Sequence, residues 1–158
     1  MFKFVVLAVF VTAASAGVLG PIRGIGQSPI VGGTVASIQD APWQVALQYD
    51  GKLRCGGSII APTVILTAGH CTISTEADSW NVRAGSSQHE SGGTSYNVST
   101  VVTNPLYSPT TLDYDIAVLI LTEAIVIDNL NTKIIPLPAL NQEVHPSSEA
   151  LVTGWGST

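Results

Sequence analysis

The chain has 158 residues, of which 46% are hydrophobic and only 11% are charged. A sequence this rich in Val, Ile and Leu can bury a core, which excludes an intrinsically disordered chain. The formal net charge of −5 argues against nucleic-acid and membrane partners, because phosphate binding and polybasic anchoring both need clustered Lys and Arg. Two cysteines are too few for a disulfide-rich miniprotein. The length allows one domain, or one domain and a fragment of another.

Residues 1–16 have the pattern of a signal peptide. Lys3 supplies a positive start, residues 4–11 form an apolar run, and Ala14-Ser15-Ala16 fits a small-residue cleavage site. The run is too short to span a bilayer, and a buried N-terminal strand is the alternative interpretation. We therefore predict a secreted, extracellular protein, in which pairing of the cysteines is the default state.

Residues 17–29 contain four Gly and two Pro and show no periodicity. This composition is typical of a connecting segment, and we predict a short propeptide here.

From residue 44 onward the apolar runs are short, rich in β-branched residues and separated by turn residues such as Asp50-Gly51 and Gly56-Gly57. No window has the period of an amphipathic helix, so we expect no helix longer than one turn. The pattern predicts an all-β sandwich or barrel. The predicted strands are Gln44–Tyr49, Ser58–Ile60, Val64–Thr67, Asn81–Gly85, Tyr96–Thr103, Ile116–Leu121 and Ala150–Gly154.

The strongest local signal is a histidine that follows a β-branched strand, in the run Leu66-Thr67-Ala68-Gly69-His70-Cys71. Upstream lies Cys55, and a Cys55–Cys71 disulfide would close a loop of about 16 residues, worth ~3 kcal/mol in the chain-entropy model. Such a bond would also hold the backbone beside His70. A histidine without further context is more often structural than catalytic.

That context comes from Asp115, which opens an apolar strand 45 residues after His70. A buried carboxylate without a partner is costly, so Asp115 should be paired. An aspartate that accepts the ring N–H of a histidine fixes its tautomer and stabilises the imidazolium formed during proton abstraction. Asp113, two residues earlier, is interpreted as a solvated turn acid.

Six motifs in this order make the chain resemble the N-terminal part of the chymotrypsin/trypsin-like serine endopeptidase family. The resemblance implies an all-β, two-barrel fold with the active site between the barrels. Residues 30–158 would form a truncated protease domain, with the first six-stranded antiparallel barrel at about residues 34–125, a linker at 126–149, the first strand of the second barrel at 150–158 and the rest of that barrel missing. The motifs are Ile30-Val31-Gly32-Gly33, Pro42-Trp43-Gln44-Val45, Cys55-Gly56-Gly57-Ser58, Leu66-Thr67-Ala68-Gly69-His70-Cys71, Asp115-Ile116-Ala117-Val118-Leu119 and Gly154-Trp155-Gly156.

The resemblance also assigns roles. His70 would be the general base, Asp115 its orienting carboxylate, and Cys55–Cys71 the disulfide beside the histidine. Ile30 would become the new N-terminus when the zymogen is cleaved. The implied partners are protein or peptide substrates, an activating protease and protease inhibitors.

Three features depart from the family pattern. The nucleophile serine, expected in Gly-Asp-Ser-Gly-Gly after the aspartate, is absent, so this chain should be inactive alone. Pro29 precedes Ile30, where trypsin-like zymogens present Arg or Lys. Gly69 replaces the more usual Ala, a change that we expect to be tolerated. Ser91, in a Glu-Ser-Gly-Gly run, lies between His70 and Asp115 in a loop-like stretch and is not the expected nucleophile.

Asn97-Val98-Ser99 is a glycosylation sequon in a chain predicted to be secreted. No Cys/His spacing or EF-hand pattern indicates a metal, and we expect no cofactor. Two functions therefore stand side by side: the front part of a secreted serine endopeptidase, and a truncated, non-catalytic homologue that acts as a secreted binding or decoy protein.

Overall fold

The computed structural model describes residues 33–156, which form an all-β domain. One four-residue helix, α1 (Gly69–Thr72), and two 3-10 turns, Ile38–Asp40 and Ala77–Ser79, complete its regular structure. No described helix exceeds one turn or so, as the lack of helical periodicity predicts. The six strands are β1 (Gln44–Tyr49), β2 (Lys52–Ala61), β3 (Val64–Thr67), β4 (Trp80–Ala84), β5 (Thr94–Thr103) and β6 (Ala117–Leu121).

The strands close into an antiparallel barrel in the order β1-β2-β3-β6-β5-β4. Closure removes the free edges that an open sheet would expose. The first hairpin turns on Asp50 and Gly51, which have φ of 49° and 74°. Two consecutive residues with positive φ match the right-handed twist of the flanking strands, which is why Asp-Gly is favoured there. The predicted six-stranded barrel is confirmed.

The core lies inside the barrel and is built from alternate residues of the strands. β4 and β6 both alternate between buried and half-buried positions, as expected when one face of a strand points inward. Trp80 is fully buried and is the largest of the core side chains. The other large, fully buried side chains are Leu47, Ile59, Ile65, Leu119, Val45 and Val82.

Gly56 and Gly57, which the sequence predicts as a turn, lie inside β2. A Cβ atom on Gly57 would lie 2.7 Å from Ile65 Cγ2 and 3.0 Å from the Leu66 carbonyl oxygen. Glycine is therefore required by the close approach of β3. The predicted strand Ser58–Ile60 was too short for this reason.

Residues 150–156, which contain the predicted strand Ala150–Gly154, are irregular in the described part of the chain. A strand needs a neighbour to accept and donate its backbone hydrogen bonds, and the barrel is already closed. The segment contacts the barrel through side chains instead. Thr153 Oγ1 donates to Gln44 Oε1 over 2.7 Å, and Trp155 Nε1 donates to the Ser87 carbonyl over 2.8 Å.

The first part of the predicted linker, residues 126–149, packs on the barrel. The Lys133 and Ile135 amides donate to the Pro42 and Ile59 carbonyls over 3.0 and 2.9 Å. Ile134 lies against the core. Residues 136–152 are largely exposed.

Three predictions fall outside the described residues: the signal peptide at 1–16, the propeptide at 17–29 and the new N-terminus at Ile30. Among the residues that the structure describes, none belongs to a helix with the length and apolar character of a membrane span.

Candidate active site

His70 lies on α1, the single helical turn that follows β3. The turn is held locally by Thr72, whose hydroxyl contacts the Gly69 carbonyl at 3.0 Å and the Thr103 hydroxyl of β5 at 2.7 Å. Gly69, Cys71 and Thr72 are buried, whereas the His70 side chain is 55% exposed. The fold thus holds the backbone of the histidine firmly and leaves its ring open to a reactant.

Asp115 ends the loop between β5 and β6, two residues before β6 begins. Leu112 and Tyr114 adopt left-handed backbone conformations, with φ of 60° and 54°. Side chains with a Cβ adopt this region at a cost, and such residues cluster at functional sites. The loop turns twice in this way and brings the Asp115 carboxylate to the histidine.

The Asp115 carboxylate contacts His70 at two points. Its Oδ1 accepts the His70 backbone N–H over 2.7 Å, and its Oδ2 lies 2.7 Å from Nδ1 of the ring. The first bond positions the helical turn and the second orients the imidazole. Because an ionised carboxylate can only accept, Nδ1 carries the proton and Nε2 of the neutral ring is left as a base.

The electrostatics of the site favour this arrangement. Partial burial raises the pKa of Asp115, but the hydrogen bonds from the His70 ring and from the backbone outweigh it, so the pKa is lowered overall. Asp115 is therefore ionised at neutral pH and stabilises positive charge on the ring. The pKa of Tyr107 is raised by burial and by the negative charge of Asp115.

Cys55 and Cys71 form the predicted disulfide, with their Cα atoms 6.3 Å apart. The bond joins β2 to α1 one residue after the histidine.

Donor atoms of Cys55, His70 and Cys71 lie within 4.8 Å of one another, a distance compatible with a shared metal ion. A metal site there would need cysteine thiolates as ligands. In the disulfide the two sulfur atoms are bonded to each other, so the oxidised cluster does not supply those ligands.

Other residues singled out by the sequence lie elsewhere. Ser91 is in the loop between β4 and β5, and its hydroxyl donates to Gln88 Oε1 over 2.5 Å. Asn97 is exposed on β5, where its side-chain oxygen accepts from Asn81 Nδ2 over 2.7 Å. Asp113 accepts a bond from the Thr111 hydroxyl within its own turn.

Tyr107 and Arg54 are neighbours of the site that the sequence did not predict. Tyr107 ring carbons would lie 3.1 and 3.2 Å from a Cβ atom on Gly69. Arg54 Nε donates to the Cys71 carbonyl over 2.8 Å. Neither contact has a signal in local periodicity or spacing, because each joins residues that are distant in the chain.

Comparison with known proteins decides the family. The Trypsin family model matches residues 30–158. The chain belongs to the trypsin family. Hypodermin-A of Hypoderma lineatum is 38% identical over 160 residues, which cover 100% of this chain and 61% of the relative. A trypsin of Simulium vittatum is 42% identical over 134 residues, which cover 82% of this chain and 53% of the relative. The chain thus spans little more than half the length of these trypsin-family proteins.

Solved structures confirm the trypsin fold. An inactivated protease paralogue of the scabies mite, S-D1, superposes with a TM-score of 0.72 at 32% identity. The match covers 75% of this chain and 50% of that structure. A second scabies mite paralogue, S-I1, gives a TM-score of 0.66 at the same identity. The barrel described above is therefore one part of the trypsin fold.

Proposed function

We propose that this chain is the N-terminal part of a secreted serine endopeptidase and supplies two members of its Ser/His/Asp triad. His70 is the general base, and Asp115 orients it. The observation that carries the proposal is the two-point contact between the Asp115 carboxylate and His70, at 2.7 Å to the backbone N–H and 2.7 Å to Nδ1. One carboxylate thereby sets both the place and the tautomer of the base.

In the proposed reaction, His70 Nε2 takes the proton of the serine hydroxyl as the oxygen attacks the peptide carbonyl. Asp115 stabilises the resulting imidazolium, which then protonates the leaving amine. Water hydrolyses the acyl-enzyme by the same proton transfers in reverse order. We assign the serine, the oxyanion donors and the specificity pocket to sequence outside this chain, and the coverage of 53% to 61% of the relatives supports that assignment.

We further propose residues 1–16 as a signal peptide, 17–29 as a propeptide and Ile30 as the N-terminus of the activated protease domain. The Trypsin family match begins at residue 30, in support of that boundary. Proteins and peptides are the substrates, with an activating protease and inhibitors as further partners. The Asn97 sequon lies on an exposed position, which is where a glycan can be accommodated.

The test uses the natural secreted product. Its intact mass and its labelling by a serine-directed fluorophosphonate are measured, with His70→Ala as the matched variant. A product longer than this chain that is labelled and cleaves a peptide, with activity lost in His70→Ala, is the expected result. Losing a triad member of this kind costs about 10⁶-fold in kcat in subtilisin, so the loss should be complete within assay limits.

The second candidate is a secreted, non-catalytic binding protein. Its support is that both solved structures above are described as inactivated protease paralogues. A secreted product with the mass of residues 17–158 or 30–158, and without fluorophosphonate labelling, would replace the endopeptidase proposal with this one. The intact His70–Asp115 pair favours the enzyme, because a binding protein has no need of an oriented base.

A further inference from the structure

Arg54 joins the barrel to the turn that carries His70. It lies on the exposed side of β2, and its Nε donates to the Cys71 carbonyl over 2.8 Å. Its guanidinium carbon lies 5.2 Å from the ring centre of Tyr49 and 5.8 Å from that of Trp80. Both distances are within the range of cation–π contacts.

The aromatic pair beneath Arg54 is a rigid support. Tyr49 and Trp80 meet edge to face, with their ring centres 5.1 Å apart. Trp80 is fully buried, and its Nε1 donates to the Thr75 hydroxyl over 3.0 Å. Because the barrel core surrounds Trp80, the guanidinium rests on a surface that moves little.

Arg54 supplies a hydrogen-bond donor and a positive charge at the C-terminal end of α1. The last carbonyls of a helix have no partner within the helix, and a cation at a helix C-terminus is favourable. The Cys71 carbonyl is such a group, and Arg54 supplies both the N–H and the positive charge. Consecutive residues of β2 therefore hold Cys71: Cys55 through the disulfide and Arg54 through the carbonyl.

We propose that Arg54 is a positioning residue that holds the His70 turn in register with Asp115, alongside the Cys55–Cys71 disulfide. The proposal deepens the proposed function and rests on it for the role of His70. Arginine suits this position better than lysine, because its planar group can stack on aromatic rings while its Nε donates sideways.

The experiment is NMR on the natural secreted product, with two readouts. The first is amide hydrogen exchange at Cys71, whose N–H donates to the Ala68 carbonyl. The second is the low-field resonance of the His70 Nδ1 proton. The variants are Arg54→Met, which keeps the stem and removes the donor, and Arg54→Lys, which keeps the charge. Amides of β6 in the barrel core serve as the internal reference for global stability.

The matched control is Arg83→Met. Arg83, on β4, also donates one hydrogen bond to a backbone carbonyl, from Nη1 to Gly92 over 2.7 Å. That carbonyl lies in the β4–β5 loop and not beside His70. Arg54→Met should speed exchange at Cys71 about tenfold, the scale of a lost hydrogen bond to a charged group, and should broaden the His70 resonance. Arg54→Lys should lie between it and the wild type, and Arg83→Met should leave both readouts unchanged.

Unchanged exchange and an unchanged resonance in Arg54→Met would overturn the proposal, as would equal changes in Arg83→Met. If Arg54→Met does not fold, Arg54→Lys carries the test with the same criteria. Absence of the His70 low-field proton in the wild type would count against the proposed function instead, and exchange at Cys71 would still report on Arg54.

Discussion

Two carboxylates, Asp115 and Asp128, both accept several hydrogen bonds, but one joins distant segments and the other closes its own loop. Asp128 accepts bonds from the Leu130, Asn131 and Thr132 amides at 2.7 to 2.9 Å, all within four residues of itself. Asp115 reaches across 45 residues to the His70 backbone and ring. Hydrogen bonds lower the pKa of both acids.

The difference between the two lies in their partners. Asp128 accepts its hydrogen bonds from its own loop, residues 126–132, and closes that loop. Asp115 joins two elements that the barrel brings together, and its second oxygen orients a titratable ring. A carboxylate that orients a titratable ring, as Asp115 does, can assist proton transfer, whereas one bonded only within its own loop does not. A lowered pKa by itself therefore does not mark the candidate active site.

If the natural product is the endopeptidase proposed above, neutralising each acid in it should separate the two carboxylates most clearly. Asp115→Asn should lower kcat by about 10⁴-fold, the loss known for this substitution in the chymotrypsin triad, because the amide selects the wrong tautomer. Asp128→Asn should leave kcat within about twofold, since its loop does not contact His70. Steady-state hydrolysis of a peptide ester measures both. Similar losses in the two variants would remove the distinction.

Acidification should affect both loops in the same direction. Each acid has a lowered pKa in the folded state, so its stabilising effect is present above the ordinary aspartate pKa and is lost as the pH falls through the folded value. Stability should therefore decline below about pH 4. Urea unfolding from neutral pH down to about pH 2 measures this, and a double Asp115→Asn, Asp128→Asn variant should show a flatter curve. Parallel curves would show that other groups control the pH dependence.

Thermal stability should separate the loops in the opposite order to catalysis. Asp128→Ala leaves three backbone amides without their acceptor, beside the buried Thr132, and should lower the melting temperature by several degrees. Asp115→Ala leaves one backbone amide without its acceptor instead of three, and should lower the melting temperature less. Scanning calorimetry of the two variants decides the order.

The smallest effects are expected at glycines beside each loop. Gly85 has φ of 77°, and a Cβ there would lie 3.3 Å from Thr132 Cγ2, so Gly85→Ala should cost about 1–2 kcal/mol. A Cβ on Gly69 would lie 3.2 Å from Asp115 Oδ1 and 3.1 Å from the Tyr107 ring, which sits on a loop and can shift. Alanine also lowers the conformational entropy of the unfolded chain, which offsets this crowding. Gly69→Ala should therefore change the free energy of unfolding by less than about 1 kcal/mol. Denaturant unfolding compares the two, and a larger loss at Gly69 would show that Tyr107 cannot yield.

Local patterns were sufficient for much of the barrel. The apolar-polar alternation in β4 and the Asp50-Gly51 turn between β1 and β2 follow from burial of one strand face and from backbone sterics. Both effects act between residues close in the chain, so they can be predicted without the tertiary structure. The motif around His70 and the Cys55–Cys71 pair were identified in the same way, with the family resemblance supplying their roles.

Contacts between distant segments could be decided only by the tertiary structure. Gly56 and Gly57 resemble a turn in the sequence, but β1 packs against Gly56 and β3 packs most closely against Gly57. Residues 150–154 begin with an apolar run that is typical of a strand, but the closed barrel of β1 to β6 offers them no partner. Likewise, the sequence paired Asp115 with the His70 ring, whereas the second bond to the His70 amide and the Arg54 bond to Cys71 emerged from the fold. The physical reason is common to all of them: periodicity reports which face of a segment is buried, and only the packed chain determines which group lies opposite.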